Sequence, residues 1–174
     1  MSPWVPHIAI LIVTAIAATT DLRTGLIPNW LTLPALVAAP AAHALFAGPG
    51  ALEASLVGIA LCGLPPYLLF RVGALGGGDV KLLAAIGGIA GASLGLEAQI
   101  FGLSVAAAYV IVRLAWRGGL LALLGRALRI VVNPLLPPSR RRPVATGEMM
   151  EMRLGASLFA GAVLAVLGQH GAWG

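Results

Sequence analysis

Charge is scarce in this sequence: only 10% of its 174 residues are Asp, Glu, Lys or Arg, where an ordinary soluble domain carries about one-quarter. That shortage excludes a fold with a solvated, charged surface. Cysteine is scarcer still. The single one, Cys62, lies inside an apolar run, which excludes an internal disulfide, a cysteine-only metal cluster and a Cys-x-x-Cys redox pair. An isolated thiol in such surroundings is expected to be buried and inert. The three histidines, His7, His43 and His170, are scattered and form no ligand constellation, so no metal and no organic cofactor is expected. No aromatic or basic recognition module for nucleic acid is present. Neither an internal repeat nor a low-complexity linker divides the chain.

What abounds is apolar. The chain is 59% hydrophobic with a mean hydropathy of +0.96. A helix needs about 20 apolar residues to cross a hydrocarbon core, so this length holds about six spans in a single domain covering residues 1–174. Runs bounded by charge, Gly or Pro fall near residues 4–20, 30–47, 51–70, 80–94, 98–116 and 153–170. They predict an all-α, polytopic membrane bundle. The first run has no preceding positive charge and is read as a retained helix rather than a signal peptide. Residues 118–132, apolar with Arg126 and Arg129 interspersed, suit an interfacial amphipathic helix before the last span. Pro65 and Pro66 are expected to kink or break the third helix, and Gly87 and Gly91 to allow close helix contact in the fourth.

With six spans the connections alternate sides, and all eleven Lys and Arg residues fall on or near one of them. They are Arg23, Arg71, Lys81, Arg113, Arg117, Arg126, Arg129, Arg140, Arg141, Arg142 and Arg153. The other side receives Glu53 and Glu97 and the histidines near span ends. By the positive-inside rule the basic side is cytoplasmic and both termini face out. The net charge of +5 then reflects topology and contact with anionic lipid headgroups.

Six acidic residues remain to be weighed. Glu53, Glu97, Glu148 and Glu151 fit solvated loop charges, although Glu148 and Glu151 are also placed to attract a basic peptide. Asp21 ends the first span in "TTDLRTGLIPNWLT" and Asp79 starts the fourth in "GGGDVKLL", so both sit at the cytoplasmic membrane boundary. Asp79 is placed to cap its helix, and Asp21 to pair with Arg23. Capping does not account for Gly76, Gly77 and Gly78, which give a backbone able to adopt positive φ and to be approached closely. Irregular backbone at membrane depth is tolerated against protein or a wet cavity. When two carboxylates share a site, their repulsion keeps one protonated while the other is ionised. The ionised acid can activate a water and its partner can polarise a carbonyl, which is the chemistry of aspartyl proteolysis. The helix ends favour Asp79 as the anion and Asp21 as the acid, within a pair that titrates as one unit.

At these residues the chain resembles the prepilin peptidases, the polytopic aspartyl proteases of the type IV leader peptidase family. "GGGDVKLLAAIG" contains Gly-x-Gly-Asp at Gly76 to Asp79 with Lys81 following, and "DLRTGLIPNWLT" matches the first-aspartate motif with Ile27, Pro28 and Asn29. The last span, "MRLGASLFAGAVLAVLG", loosely resembles the family's terminal helix, with Ala156 and Ser157 where a proline is often found. The resemblance implies Asp21 and Asp79 as catalytic residues and Gly76, Gly77 and Gly78 as backbone positions for a substrate strand. Lys81, Pro28 and Asn29 are implied as supporting residues, Lys81 either orienting the site or contacting lipid phosphate. The implied substrates are type IV prepilins or pseudopilins, cleaved at the cytoplasmic membrane face after a glycine that ends a short basic leader. Longer relatives carry an inserted region with paired Cys-x-x-Cys motifs and methylate the new N-terminus. This chain lacks that insertion, so a peptidase-only short form similar to those of tight-adherence pilus systems is expected. The rivals are an ion-coupled small transporter, which favours acids near the midplane and repeated halves, a structural subunit of a pilus or secretion assembly, and a presenilin-like Gly-x-Gly-Asp protease. Nothing in the sequence indicates an oligomeric state.

Overall fold

The computed structural model describes residues 4–73, 75–116 and 154–172. Among them the chain is helical, with no strand. The elements are α1 (Trp4–Thr24), α2 (Asn29–Ala47), α3 (Pro49–Arg71), α4 (Gly77–Trp116) and α5 (Leu154–Leu167), the last followed by a π-helical turn at Gly168–Ala172. The segment expected to be interfacial, 118–132, together with Glu148, Glu151 and Arg140 to Arg142, lies outside the described residues. Four helices, α1 to α4, are long and apolar enough to cross a membrane, and α5 is a shorter apolar helix. Large apolar side chains such as Leu45, Phe46, Leu64 and Leu68 stand exposed on their outer faces, as expected where the solvent is lipid.

Met1–Ala106 and Arg153–Gly174 form one compact unit, and Ala107–Met152 a second. Of the second, residues 107–116, the C-terminal turns of α4, are described. All the packing below belongs to the first unit.

α4 is two helices joined at a sharp reversal. Gly91 has φ 76° and ψ 179°, a left-handed φ that glycine adopts without steric penalty. A Cβ placed on Gly95 would lie 2.9 Å from the Cα of Gly87. Those residues would be about 12 Å apart along a straight helix at 1.5 Å per residue, so residues 92–106 fold back against residues 77–90. The fourth and fifth expected apolar runs are therefore separate helical segments, divided at Gly91 rather than between residues 94 and 98. Gly91 also makes a close helix contact, through its backbone: a Cβ on Gly58 would lie 3.0 Å from the Gly91 carbonyl carbon, whereas a Cβ on Gly91 itself would meet nothing within 4 Å.

Residues 82–89 are buried on every face, which makes the first half of α4 the central element of this unit. α3 runs antiparallel to it through small residues: Ser55 pairs with Gly88, Gly58 with Gly87, and Gly63 with Ala84. A Cβ on Gly58 would strike the Gly87 carbonyl oxygen, and one on Gly87 the Gly58 carbonyl oxygen. Small residues let helix backbones approach this closely where lipid offers no hydrophobic drive for association. The carbonyls left open before Gly91 are capped from neighbouring helices. Ser55 Oγ donates to Gly88 O at 2.7 Å and His43 Nε2 to Ile89 O at 3.1 Å, supplying partners that a broken helix end lacks. Pro65 and Pro66 do not break α3, which stays helical through them; neighbouring protein groups permit prolines within membrane helices.

α1 buries Ile10, Thr14, Ala17, Ala18 and Asp21, a stripe at helical spacing that faces the interior. Thr14, Thr19, Thr20 and Thr24 each donate to the carbonyl four residues back, at 2.6, 2.7, 3.0 and 2.8 Å. No hydroxyl on this helix needs water. α5 packs antiparallel to α1: Gly155 meets Asp21 at one end, and His7 donates to Gln169 at the other (3.2 Å). Gln169 in turn donates to Glu97 at 3.4 Å. The acidic residues Glu53 and Glu97 thus mark the end of the unit opposite Asp21, Arg23, Arg71, Asp79 and Lys81.

Candidate active site

α1 ends in a left-handed cap. Gly25 has φ 71° and its amide donates to Asp21 O at 2.8 Å, the single bond of an αL motif. This places Asp21 in the last turn, on the buried stripe, with 5% of its surface exposed. Leu26, Ile27 and Pro28 then run as a short connector, Pro28 being extended at φ −75° and ψ 142°. The carbonyl of Pro28 accepts from the amides of Leu31 (3.2 Å) and Thr32 (3.4 Å) and so starts α2 at Asn29.

The second motif begins α4. Gly76 precedes the helix, Gly77 and Gly78 open it, and Asp79 is its third residue. From there the Asp79 carboxylate accepts a hydrogen bond from the Gly76 amide, the reciprocal half of a capping box. The expectation that Asp79 caps its helix thus describes its local geometry. The three glycines form the helix start, none of them at positive φ, and the protein's own groups approach them. A Cβ on Gly76 would lie 2.8 Å from Asp79 Oδ2, and one on Gly78 would lie 3.1 Å from Ile27 Cβ and 3.2 Å from Ile27 O. A Cβ on Gly77 would lie 3.4 Å from the Phe70 ring.

The two motifs interlock. Ile27 seats on Gly78, and Lys81 Nζ donates to Asn29 Oδ1 at 2.7 Å. Asp21 and Asp79, 58 positions apart in the chain, are brought close enough for the charge of one to act on the other. Arg23 forms no ion pair with Asp21 among the described contacts; the buried carboxylate is turned instead toward α5. There the amide of Gly155 donates to Asp21 Oδ2 at 2.9 Å.

Nothing in the sequence marks Gly155. The chain has 23 glycines, and the nearest signal is its place in "MRLGAS", beside the two residues that depart from the family's terminal helix. The contact is tight: a Cβ on Gly155 would lie 2.9 Å from Asp21 Cβ, 3.0 Å from Ala17 O and 3.1 Å from Asp21 Oδ2. It also alters the electrostatic argument from helix ends. Asp21 lies at the C-terminal end of α1 but accepts an amide from the first turn of α5, so each carboxylate receives a main-chain N–H from the start of a helix. The dipoles alone no longer separate an acid from a base.

Such a pair can hold a water between two carboxyl groups that exchange a proton, and can polarise a carbonyl placed beside it. Among the described residues no group of three or more His, Cys, Asp or Glu side chains is gathered to hold a metal ion. His7 and His43 lie at the other end of the unit.

No curated protein and no solved structure matches the chain. The family model of the type IV leader peptidases matches residues 8–116, a stretch that contains Asp21, the Ile27-Pro28-Asn29 connector and the whole Gly-x-Gly-Asp start of α4. With more than half of its length so matched, the chain belongs to the type IV leader peptidase family.

Proposed function

We propose that the protein is a membrane-embedded aspartic endopeptidase that removes the basic leader from type IV prepilins or pseudopilins at the cytoplasmic face of the membrane. One observation carries the reading: two carboxylates from distant motifs lie at one end of a helical bundle, close enough for the charge of one to act on the other, and each accepts from a main-chain amide. In this mechanism the pair shares one proton. The ionised member takes a proton from a bound water as that water attacks the scissile carbonyl. The protonated member donates toward the carbonyl oxygen, and the pair returns a proton to the leaving amine as the tetrahedral intermediate collapses. No acyl-enzyme forms, so one oxygen of the new leader carboxylate comes from solvent.

The basic residues at the same end of the unit, Arg23, Arg71 and Lys81, support a cytoplasmic placement of that end by the positive-inside rule. The single cysteine supports a peptidase without the paired-cysteine insertion, and hence one that does not methylate the new N-terminus. The test is incubation of the purified, detergent-solubilised protein with candidate prepilins, with products identified by mass spectrometry. The expected result is one cut after a glycine at the junction of leader and apolar helix, with no methylated product when S-adenosylmethionine is added. Failure to cut any of several prepilins contradicts the proposal.

A further inference from the structure

We propose that Asn29 and Lys81 act together as positioning residues, a clasp that sets the separation of the two aspartates. The inference rests on the proposed peptidase function and assigns a role that the sequence leaves open between site orientation and lipid contact. Lys81 is two residues beyond Asp79, and Asn29 is the first residue of α2, four residues after the cap that ends α1 below Asp21. Between Gly25 and Asn29 the chain is not helical, so this connector has no ladder of its own to fix its height against α4. Two contacts fix it: Ile27 on Gly78, and the 2.7 Å bond from Lys81 Nζ to Asn29 Oδ1.

These contacts differ in kind. The Ile27–Gly78 contact is steric and resists only approach. The Lys81–Asn29 bond has an ionised donor, is directional, and resists separation as well. It is the one polar contact of the Lys81 ammonium among the described residues, and it reaches an amide rather than either carboxylate. Lys81 therefore acts on the pair through backbone placement: pulling on Asn29 draws the end of α1 toward the start of α4, where Asp79 is held by Gly76. Small displacements matter to such a site, since a misplacement of about 1 Å at reacting groups lowers rates by roughly 10²-fold.

The test is a double-mutant cycle of Asn29→Ala, Lys81→Ala and the double variant, with Asn29→Asp as the conservative variant that keeps an acceptor facing Lys81. Cleavage of a prepilin is followed for kcat and KM separately. Each alanine variant is expected to lose about tenfold or more in kcat with KM nearly unchanged, the double variant to be no worse than either single, and Asn29→Asp to keep most of the rate. Losses that multiply in the double variant, a loss confined to KM, or full activity of Asn29→Ala beside an impaired Lys81→Ala would each overturn the clasp. A second readout does not depend on activity. In a Cys62→Ala background, Ile27→Cys and Gly78→Cys stand close to disulfide range, as the 3.1 Å between the Ile27 Cβ and a Cβ on Gly78 indicates. Adding Asn29→Ala is expected to slow their oxidation several-fold, and an unchanged rate overturns the inference. Failure of the wild-type protein to cleave any prepilin, together with that slowing in the cysteine variants, would refute the peptidase reading while leaving the clasp standing.

Discussion

Replacing Gly155 with alanine is the smallest change that should separate α5 from the Asp21 carboxylate. The added methyl would meet Asp21 Cβ at 2.9 Å, Ala17 O at 3.0 Å and Asp21 Oδ2 at 3.1 Å. Optimal carbon contacts lie near 3.5–4.0 Å, so the start of α5 has to draw back by roughly 0.5 Å. Such a shift stretches the 2.9 Å bond from the Gly155 amide to Asp21 to about 3.4 Å, beyond the 2.7–3.2 Å range of a good N–H···O bond. A hydrogen bond to a charged group contributes about 1.5–3 kcal/mol. If that loss appears in the transition state, the rate falls roughly 10- to 100-fold at about 1.4 kcal/mol per decade. Overpacking against the Ala17 carbonyl should also lower stability by about 1–3 kcal/mol. The assay is kcat/KM on a prepilin beside an unfolding midpoint in the same detergent. Gly50→Ala serves as control, because nothing lies within 4 Å of a Cβ there and its effect should stay within about 0.5 kcal/mol. A Gly155→Ala enzyme with the wild-type rate and midpoint would refute the role given to this amide.

The α3–α4 crossing gives a sharper stability effect. In Gly87→Ala the methyl falls on the Gly58 carbonyl oxygen, and 2.7 Å from Cys62 Cβ, so a loss of about 1–3 kcal/mol or more is expected, read as a lowered unfolding midpoint. Ser55→Ala removes the 2.7 Å bond to Gly88 O and leaves a carbonyl uncapped beside the Gly91 reversal; a loss of about 1–3 kcal/mol follows, checked by the same unfolding assay. Cys62 is fully buried between α3 and α4, so a thiol-reactive dye should label it only as the protein unfolds. Rapid labelling of the native protein in detergent would place it elsewhere.

The placement of Asp21 and Asp79 was legible in the sequence because each sits where an apolar run meets a helix-ending or helix-starting signal: Gly25 after one, three glycines before the other. The helical class was legible for the same reason, since uninterrupted apolar runs leave the backbone no partner but itself. The Gly91 reversal was not. One glycine among several in "AAIGGIAGASLG" carries the turn, and local composition does not say which of them takes a positive φ. Of the kink or break expected at Pro65 and Pro66, the break does not occur, because proline's missing amide is tolerated within membrane helices more readily than in water. Gly155 was invisible for a different reason. Its contribution is a backbone N–H delivered across 134 positions of sequence, and a main-chain donor leaves no side-chain signature. What a side chain at Gly76 or Gly78 would meet was not legible either: an added Cβ would meet Asp79 at the one and Ile27 at the other, contacts from distant or helical geometry that composition does not show.

The central claim is that Asp21 and Asp79 work as one unit, and the most direct measurement is single-turnover leader cleavage in ¹⁸O-water by wild type, Asp21→Asn, Asp79→Asn and the double variant, each shown to be folded by Cys62 protection. The account predicts one solvent oxygen in the leader's new carboxylate for wild type. It also predicts losses of about 10³-fold or more in both single variants, with the double variant no slower than the worse single, as for groups that act together. Cleavage retained near the wild-type rate in either single variant would contradict it.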